Sequence, residues 1–142
     1  MNVNMILRGK GDRVVTVRPD DTVGTAAKRL ADERIGAVLV TGADGTMCGV
    51  LSERDIVRGI GGEGAAALAQ PVSSLMTADV VRCAPGDSVN GVMARMSERR
   101  IRHLPVFDGD KLLGIVSIGD VVKHRIQEIE AEASALRDYI NT

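Results

Sequence analysis

The chain has 142 residues, 44% of them apolar, with a formal net charge of −1, one Phe, one Tyr and no Trp. That is enough apolar material for one packed domain, or for two half-sized units sharing a core. A balanced charge supplies no field to recruit nucleic acid or membrane, and the missing aromatics leave no platform on which unpaired bases could stack.

Cys48 and Cys83 lack the short spacing of a zinc cluster and the number of a disulfide scaffold, so buried free thiols are expected. Residues 1–8 have no basic n-region and too short an apolar run for a signal peptide, and no stretch approaches the roughly 20 apolar residues of a membrane span. The chain reads as a soluble cytoplasmic protein.

In chain order, Val3, Met5, Ile6 and Leu7 form an apolar patch that predicts a helical turn or two docked on the body, followed by a polar, irregular run over 8–13. Residues 14–17 are a β-rich run stopped by Pro19, after which Asp20, Asp21 and Thr22 supply N-cap chemistry. Val23, Ala26, Ala27 and Leu30 fall at helical spacing and predict an amphipathic helix over 23–34, with Gly36 as its C-terminal cap. A strand over 37–40, a turn at Ala43-Asp44-Gly45 and a strand over 47–51 follow. A helix is expected from Ser52 to about residue 58, ended by Gly59, Gly61 and Gly62. Residues 61–73 read as a Gly/Ala-rich linker with a short helix over 63–69.

The pattern then restarts. Val14-Val15 returns as Val80-Val81, Pro19 as Pro85, Asp21 as Asp87, Thr22 as Ser88, Arg29 as Arg95 and Arg34-Ile35 as Arg100-Ile101, all 66 residues on. After one deletion, Gly49, Ser52, Asp55 and Val57 meet Gly114, Ser117, Asp120 and Val122. This is a duplicated β-α-β-β-α unit. Each copy is too small to bury a core alone, so the copies are expected to pack together. The boundaries are a docking segment over 1–13, repeats over 14–60 and 80–126, a linker over 61–79, and a helical extension over 127–142.

In the second copy Asp108-Gly109 signals a hairpin turn, and Pro105 within a strand marks an edge or a bulge. The closing helix continues over 121–140 without Gly or Pro. Val122, Ile126, Ile129, Ala133, Leu136 and Ile140 form a heptad-type seam that suits a second subunit and a homodimer. Arg99, Arg100, Arg102 and His103 are the densest positive cluster. Arg99 reads as a cation at a helix end, Arg102 and His103 alternate across a strand, and His124 is expected to face solvent.

Gly49-Val50-Leu51-Ser52-Glu53-Arg54-Asp55 and Gly114-Ile115-Val116-Ser117-Ile118-Gly119-Asp120 each run an apolar strand into a Ser-x-x-Asp that opens a helix. Free N–H groups, a hydroxyl and a carboxylate meet there, as binding of a phosphorylated ribose requires. The same arrangement also serves as a plain helix cap. No nucleophile–base set, metal-spaced His or Gly-rich phosphate loop after a strand is present, which argues against catalysis and for no metal requirement.

The order, spacing and duplication of these features resemble the cystathionine-β-synthase (CBS) domain, and the chain is similar to a stand-alone CBS pair over nearly its whole length. The resemblance implies an α+β fold of two β-α-β-β-α repeats packed as a pseudo-twofold pair, here with an extended C-terminal helix. It further implies two clefts that bind adenosine nucleotides (AMP, ADP, ATP, NAD or S-adenosylmethionine). Carried over by position, Ser117 and Asp120 share the first cleft with Lys10, Gly11, Arg13, Val15, Ile35, Gly36, Ala37 and His103. The second combines Ser52, Arg54 and Asp55 with Thr77, Val81, Ile101 and Arg102, and Asp79 lies in the segment that leads into it.

Asp120 and Asp55 are the candidates to accept the vicinal ribose hydroxyls, in charge-assisted bonds. Ser117, with Lys10, Arg13 or His103, suits the phosphate, and Val15, Ile35, Val81 and Ile101 replace aromatic rings around adenine. Asp79 sets a negative charge where phosphate would come in the second cleft, partly offset by Arg54 and Arg102, so the Asp120 cleft suits a nucleotide better. The expected function is a non-catalytic nucleotide sensor acting through its oligomeric state or a regulated partner protein. The alternative is a structural dimerisation module with vestigial clefts.

Overall fold

In the computed structural model, which describes residues 2–10 and 14–142, the chain divides into two units: Val14–Val80, and Met1–Arg13 joined with Val81–Thr142. The Val14–Val80 unit has strand β1 (Thr16–Val17), helix α2 (Val23–Glu33), strands β2 (Ala37–Thr41) and β3 (Met47–Ser52) and helix α3 (Glu53–Glu63). It ends in two 3-10 turns, Gly64–Ala69 and Val72–Ser74. Its sheet has the order β1-β2-β3, the first pair parallel and the second antiparallel. The other unit has helix α1 (Val3–Lys10), helix α4 (Val89–Arg99), strands β4 (His103–Asp108) and β5 (Lys111–Ser117) and the long helix α5 (Ile118–Ile140).

The duplication shows in the packing. Val17, Val23, Ala26, Leu30, Val38, Val40, Leu51 and Ile56 form one buried cluster. Their counterparts Cys83, Val89, Val92, Met96, Leu104, Val106, Val116 and Val121 form the other. Each unit therefore closes a core of its own, which the repeat motif alone did not predict. The missing wall comes from a lead-in segment that docks on each repeat. Val72 is fully buried in one cluster, and Val3 and Ile6 are fully buried in the other. Both lead-in segments dock alike: Val72 N–H donates to Asp21 O (2.8 Å) and Ser73 to Pro19 O, just as Val3 donates to Asp87 O (3.0 Å) and Asn4 to Pro85 O. The predicted docking patch is α1, about two turns as expected, and the helix carries on through residues 8–10, where an irregular run was expected.

The second copy loses its first strand. Where a strand was expected at Val80-Val81, only Cys83 pairs, in a single parallel bridge to Val106. In the first copy Leu39 N–H donates to Val15 O. The residue 66 positions after Leu39 is Pro105, which has no N–H to give, so the matching bond to Val81 cannot form. A register shift between Val106 and Phe107 follows it.

Two helix ends differ from expectation. Helix α2 ends at Arg34, in the left-handed conformation (φ 56°), and α4 ends likewise at Arg100 (φ 55°), so Gly36 is not the cap. Ile35 N–H and Ile101 N–H close these ends onto Leu30 O and Met96 O, satisfying carbonyls the helix leaves open. Helix α3 runs through Gly59, Gly61 and Gly62 to Glu63. Gly59 is buried where a Cβ would meet Leu75 Cδ1 at 2.5 Å, so it permits close packing rather than ending the helix. The segment after α3 is a 3-10 helix over Gly64–Ala69, and the β4–β5 loop is Gly109-Asp110, with Asp108 paired to Lys111 and Gly109 at φ 60°.

Cys83 is buried and its thiol is pushed up to about 11, first by burial and then by the charge of Asp87. Cys48 is half-buried and also free.

Candidate functional site

The last residue of each third strand is a serine, and it caps the following helix. Ser117 is extended (φ −102°, ψ 163°) and its Oγ accepts from Asp120 N–H at 3.1 Å, while Ser117 N–H donates to Asp120 Oδ2 at 2.9 Å. Ser52 and Asp55 repeat this capping box, with Ser52 N–H to Asp55 Oδ2 at 2.9 Å. Each helix also returns its first N–H to the head of the second strand, Ile118 to Arg102 O (2.8 Å) and Glu53 to Gly36 O (2.9 Å). The capping role is therefore fully realised in both copies. The first turn of α5 consequently offers fewer donors than an uncapped helix start, since the N–H groups of Ile118 and Asp120 are already taken.

The copies diverge at the carboxylate. Asp55 Oδ2 takes Ser52 Oγ–H as well, at 3.0 Å. Asp120 Oδ2 instead receives the ammonium of Lys10 at 2.8 Å, and the same Nζ donates to Ile115 O at 2.9 Å. Half-burial pushes the Asp120 carboxyl up, but bonds from Lys10 and Ser117 outweigh it and hold the group below the ordinary carboxylate range. Asp120 is thus firmly ionised. Both bonds fall on Oδ2, while Oδ1 takes no hydrogen bond from the described residues. His124, four residues on, is half-buried rather than solvent-facing: its Nδ1 lies 3.1 Å from Asp120 O, and its ring comes within 4 Å of where a Gly9 Cβ would stand.

The candidate residues fall in the two units as follows. Lys10, His103, Ser117 and Asp120 belong to one, and Val15, Ile35, Gly36 and Ala37 to the other. Of the second set, Ser52, Arg54, Asp55 and Thr77 belong to one unit, and Val81, Ile101 and Arg102 to the other. Gly11 and Arg13 lie outside the described residues. His103 pairs with Ser117 across β4 and β5, as Ala37 pairs with Ser52, and Ala37 is itself buried. Val15 and Ile35 are half-buried against one core, Val81 and Ile101 against the other. Thr77 is bridged to Val50 by two backbone bonds, and Arg54 and Arg102 are exposed. Sequence reasoning missed the Ile115 carbonyl and His124. The second was legible, since i and i+4 on a helix share a face.

A family model described as the CBS domain matches residues 11–62 and 72–126. The chain belongs to the CBS-domain family. The mitochondrial CBS domain-containing protein CBSX3 of Arabidopsis thaliana is 34% identical over 125 residues, covering 85% of this chain but only 61% of the plant protein. The solved CBS-domain containing protein ATU1752 from Agrobacterium tumefaciens is 48% identical, with a TM-score of 0.86 and coverage of 87% and 92% of the two chains. The CBS domain protein PAE2072 from Pyrobaculum aerophilum, complexed with AMP, is 25% identical with a TM-score of 0.75, covering 84% and 89%. This chain has two CBS repeats of mixed α+β structure, the second continued by a long C-terminal helix. Among its described residues no His, Cys, Asp and Glu group is arranged to hold a metal, and no helix is long and apolar enough to cross a membrane.

Because the folded-state pKa of Asp120 is depressed, the stability it contributes is fully present above its unfolded value, about pH 4, and is lost as pH falls through the lower folded value. Lys10→Met should cost about 0.5–1 kcal/mol at neutral pH, a deficit that shrinks on acidification below about pH 4. Denaturant unfolding across pH checks this; a deficit constant down to the acid limit contradicts it.

Proposed function

We propose that this CBS protein is a non-catalytic regulatory module that binds an adenosine nucleotide of the AMP, ADP, ATP or NAD class at the Ser117–Asp120 joint. The observation that carries the reading is Asp120: an ionised carboxylate, fixed by a capping box at a helix start and flanked by Lys10. A vicinal diol is a natural partner for such a carboxylate, and phosphate gains from the adjoining helix start and cation. That a CBS relative has been solved with AMP supports the ligand class. Among the described residues no lysine ammonium is bonded to Asp55, so occupancy of the Asp120 joint comes first.

Calorimetric titration with AMP, ATP, NAD and S-adenosylmethionine tests the proposal. Binding of a phosphorylated member is expected. Asp120→Ala should weaken it about 10- to 100-fold through loss of a charge-assisted bond, and Ser117→Ala by less. Absence of binding by every probe, or wild-type affinity in both variants, contradicts the assignment.

A second reading, a dimerisation module, is favoured by one observation. Along α5 the seam residues Val122, Ile126, Ile129, Leu136 and Ile140 are all exposed, the last at 70%. A 23-residue helix is about 34 Å long, room for a coiled-coil contact with a second copy. Truncation after Gln127 should leave the repeats folded and shift sedimentation toward monomer; an unchanged dimer, or a monomeric full-length chain, contradicts it.

A further inference from the structure

The two lead-in segments begin alike and end differently. In the Val14–Val80 unit the segment continues past Ser74 and is stapled to the edge of β3 by backbone, with Val50 N–H to Thr77 O at 3.0 Å and Thr77 N–H to Val50 O at 2.9 Å. The residue of β5 equivalent to Val50 is Ile115. Its carbonyl is closed by the side chain of Lys10, at the last residue of α1. The start of α1 is fixed by backbone bonds to Asp87 and Pro85 and by the full burial of Val3 and Ile6. Its end rests on Leu7 over Gly114, where a Cβ would stand 3.0 Å from Leu7 Cδ2, on the His124 ring beside Gly9, and on the Lys10 ammonium.

We propose that Lys10 is a displaceable latch: a ligand diol arriving at Asp120 replaces the ammonium on the carboxylate, and the C-terminal turn of α1 is released from the edge of β5. The proposal rests on reading Asp120 as the diol-binding carboxylate. Lys10 donates to the very oxygen that the capping box has already positioned. The pair is partly exposed, with side chains 35% and 22% accessible, so water and salt reach it and it can open without unfolding α1. Occupancy is thereby converted into a change at one end of a helix whose other end stays fixed.

The test uses the full chain, wild type and Lys10→Gln, titrated with adenosine, a neutral diol, and with AMP at low and moderate salt. Removing the competitor should tighten adenosine binding about 2- to 5-fold. Added salt should tighten adenosine binding to wild type, by loosening the latch, and leave the variant unchanged. Hydrogen exchange of wild type should show faster exchange over residues 7–10 when adenosine is bound. Equal or weaker adenosine binding by the variant, or unchanged exchange over 7–10 in a protein that does bind, overturns the latch and leaves the nucleotide site standing. No binding of either probe to either protein overturns the nucleotide reading and the latch with it.

Discussion

In both repeats the third strand becomes a helix at a serine, and the direction of everything beyond that point depends on how the serine is held. Its hydroxyl and the carboxylate three residues on satisfy each other's backbone N–H groups, while the next N–H reaches back to the carbonyl that heads the second strand. Three bonds thus lock strand, helix and carboxylate together. The aspartate is not a mobile side chain at a helix start but a fixed acceptor, with one oxygen committed to the cap. A carboxylate fixed in this way loses little freedom on meeting a ligand, which is the condition under which a single charge-assisted bond contributes most to affinity.

Joints with the same capping box sit in different surroundings. A proline where the first copy has Leu39 removes one ladder bond and reduces the first strand of the second copy to a bridge. Helix α1 replaces the backbone staple of Thr77 and brings an ammonium to the carboxylate. The core is nearly position-for-position the same in both units, so these differences are concentrated at the edge of the third strand and at the helix start. Burial maintains the fold, and the residues at its margin distinguish one joint from the other.

The duplication, the order of elements and the Ser-x-x-Asp joints were readable in the sequence because each leaves a local mark: period-2 or helical spacing, a cap residue, or recurrence after 66 positions. What was misread depends on contacts between distant residues. Gly59 looks like a helix end until Leu75 is found against it. Arg34 and Arg100 in left-handed caps contradict residue preference, and Gly36 was the natural choice; their recurrence at the same repeat position was the available clue. Lys10 was recognised as a cation near the site. That it would pair with Asp120 itself required knowing that α1 extends to residue 10 and ends beside Ile115.

If the Asp120 joint, not its twin, is the ligand-receiving one, a backbone amide NMR titration of the full chain with AMP shows it most directly. The amides of Ser117, Gly119 and Asp120 should shift first and saturate at lower AMP than those of Ser52, Arg54 and Asp55. Earlier saturation at Ser52 to Asp55, or shifts confined to residues away from both joints, would contradict it.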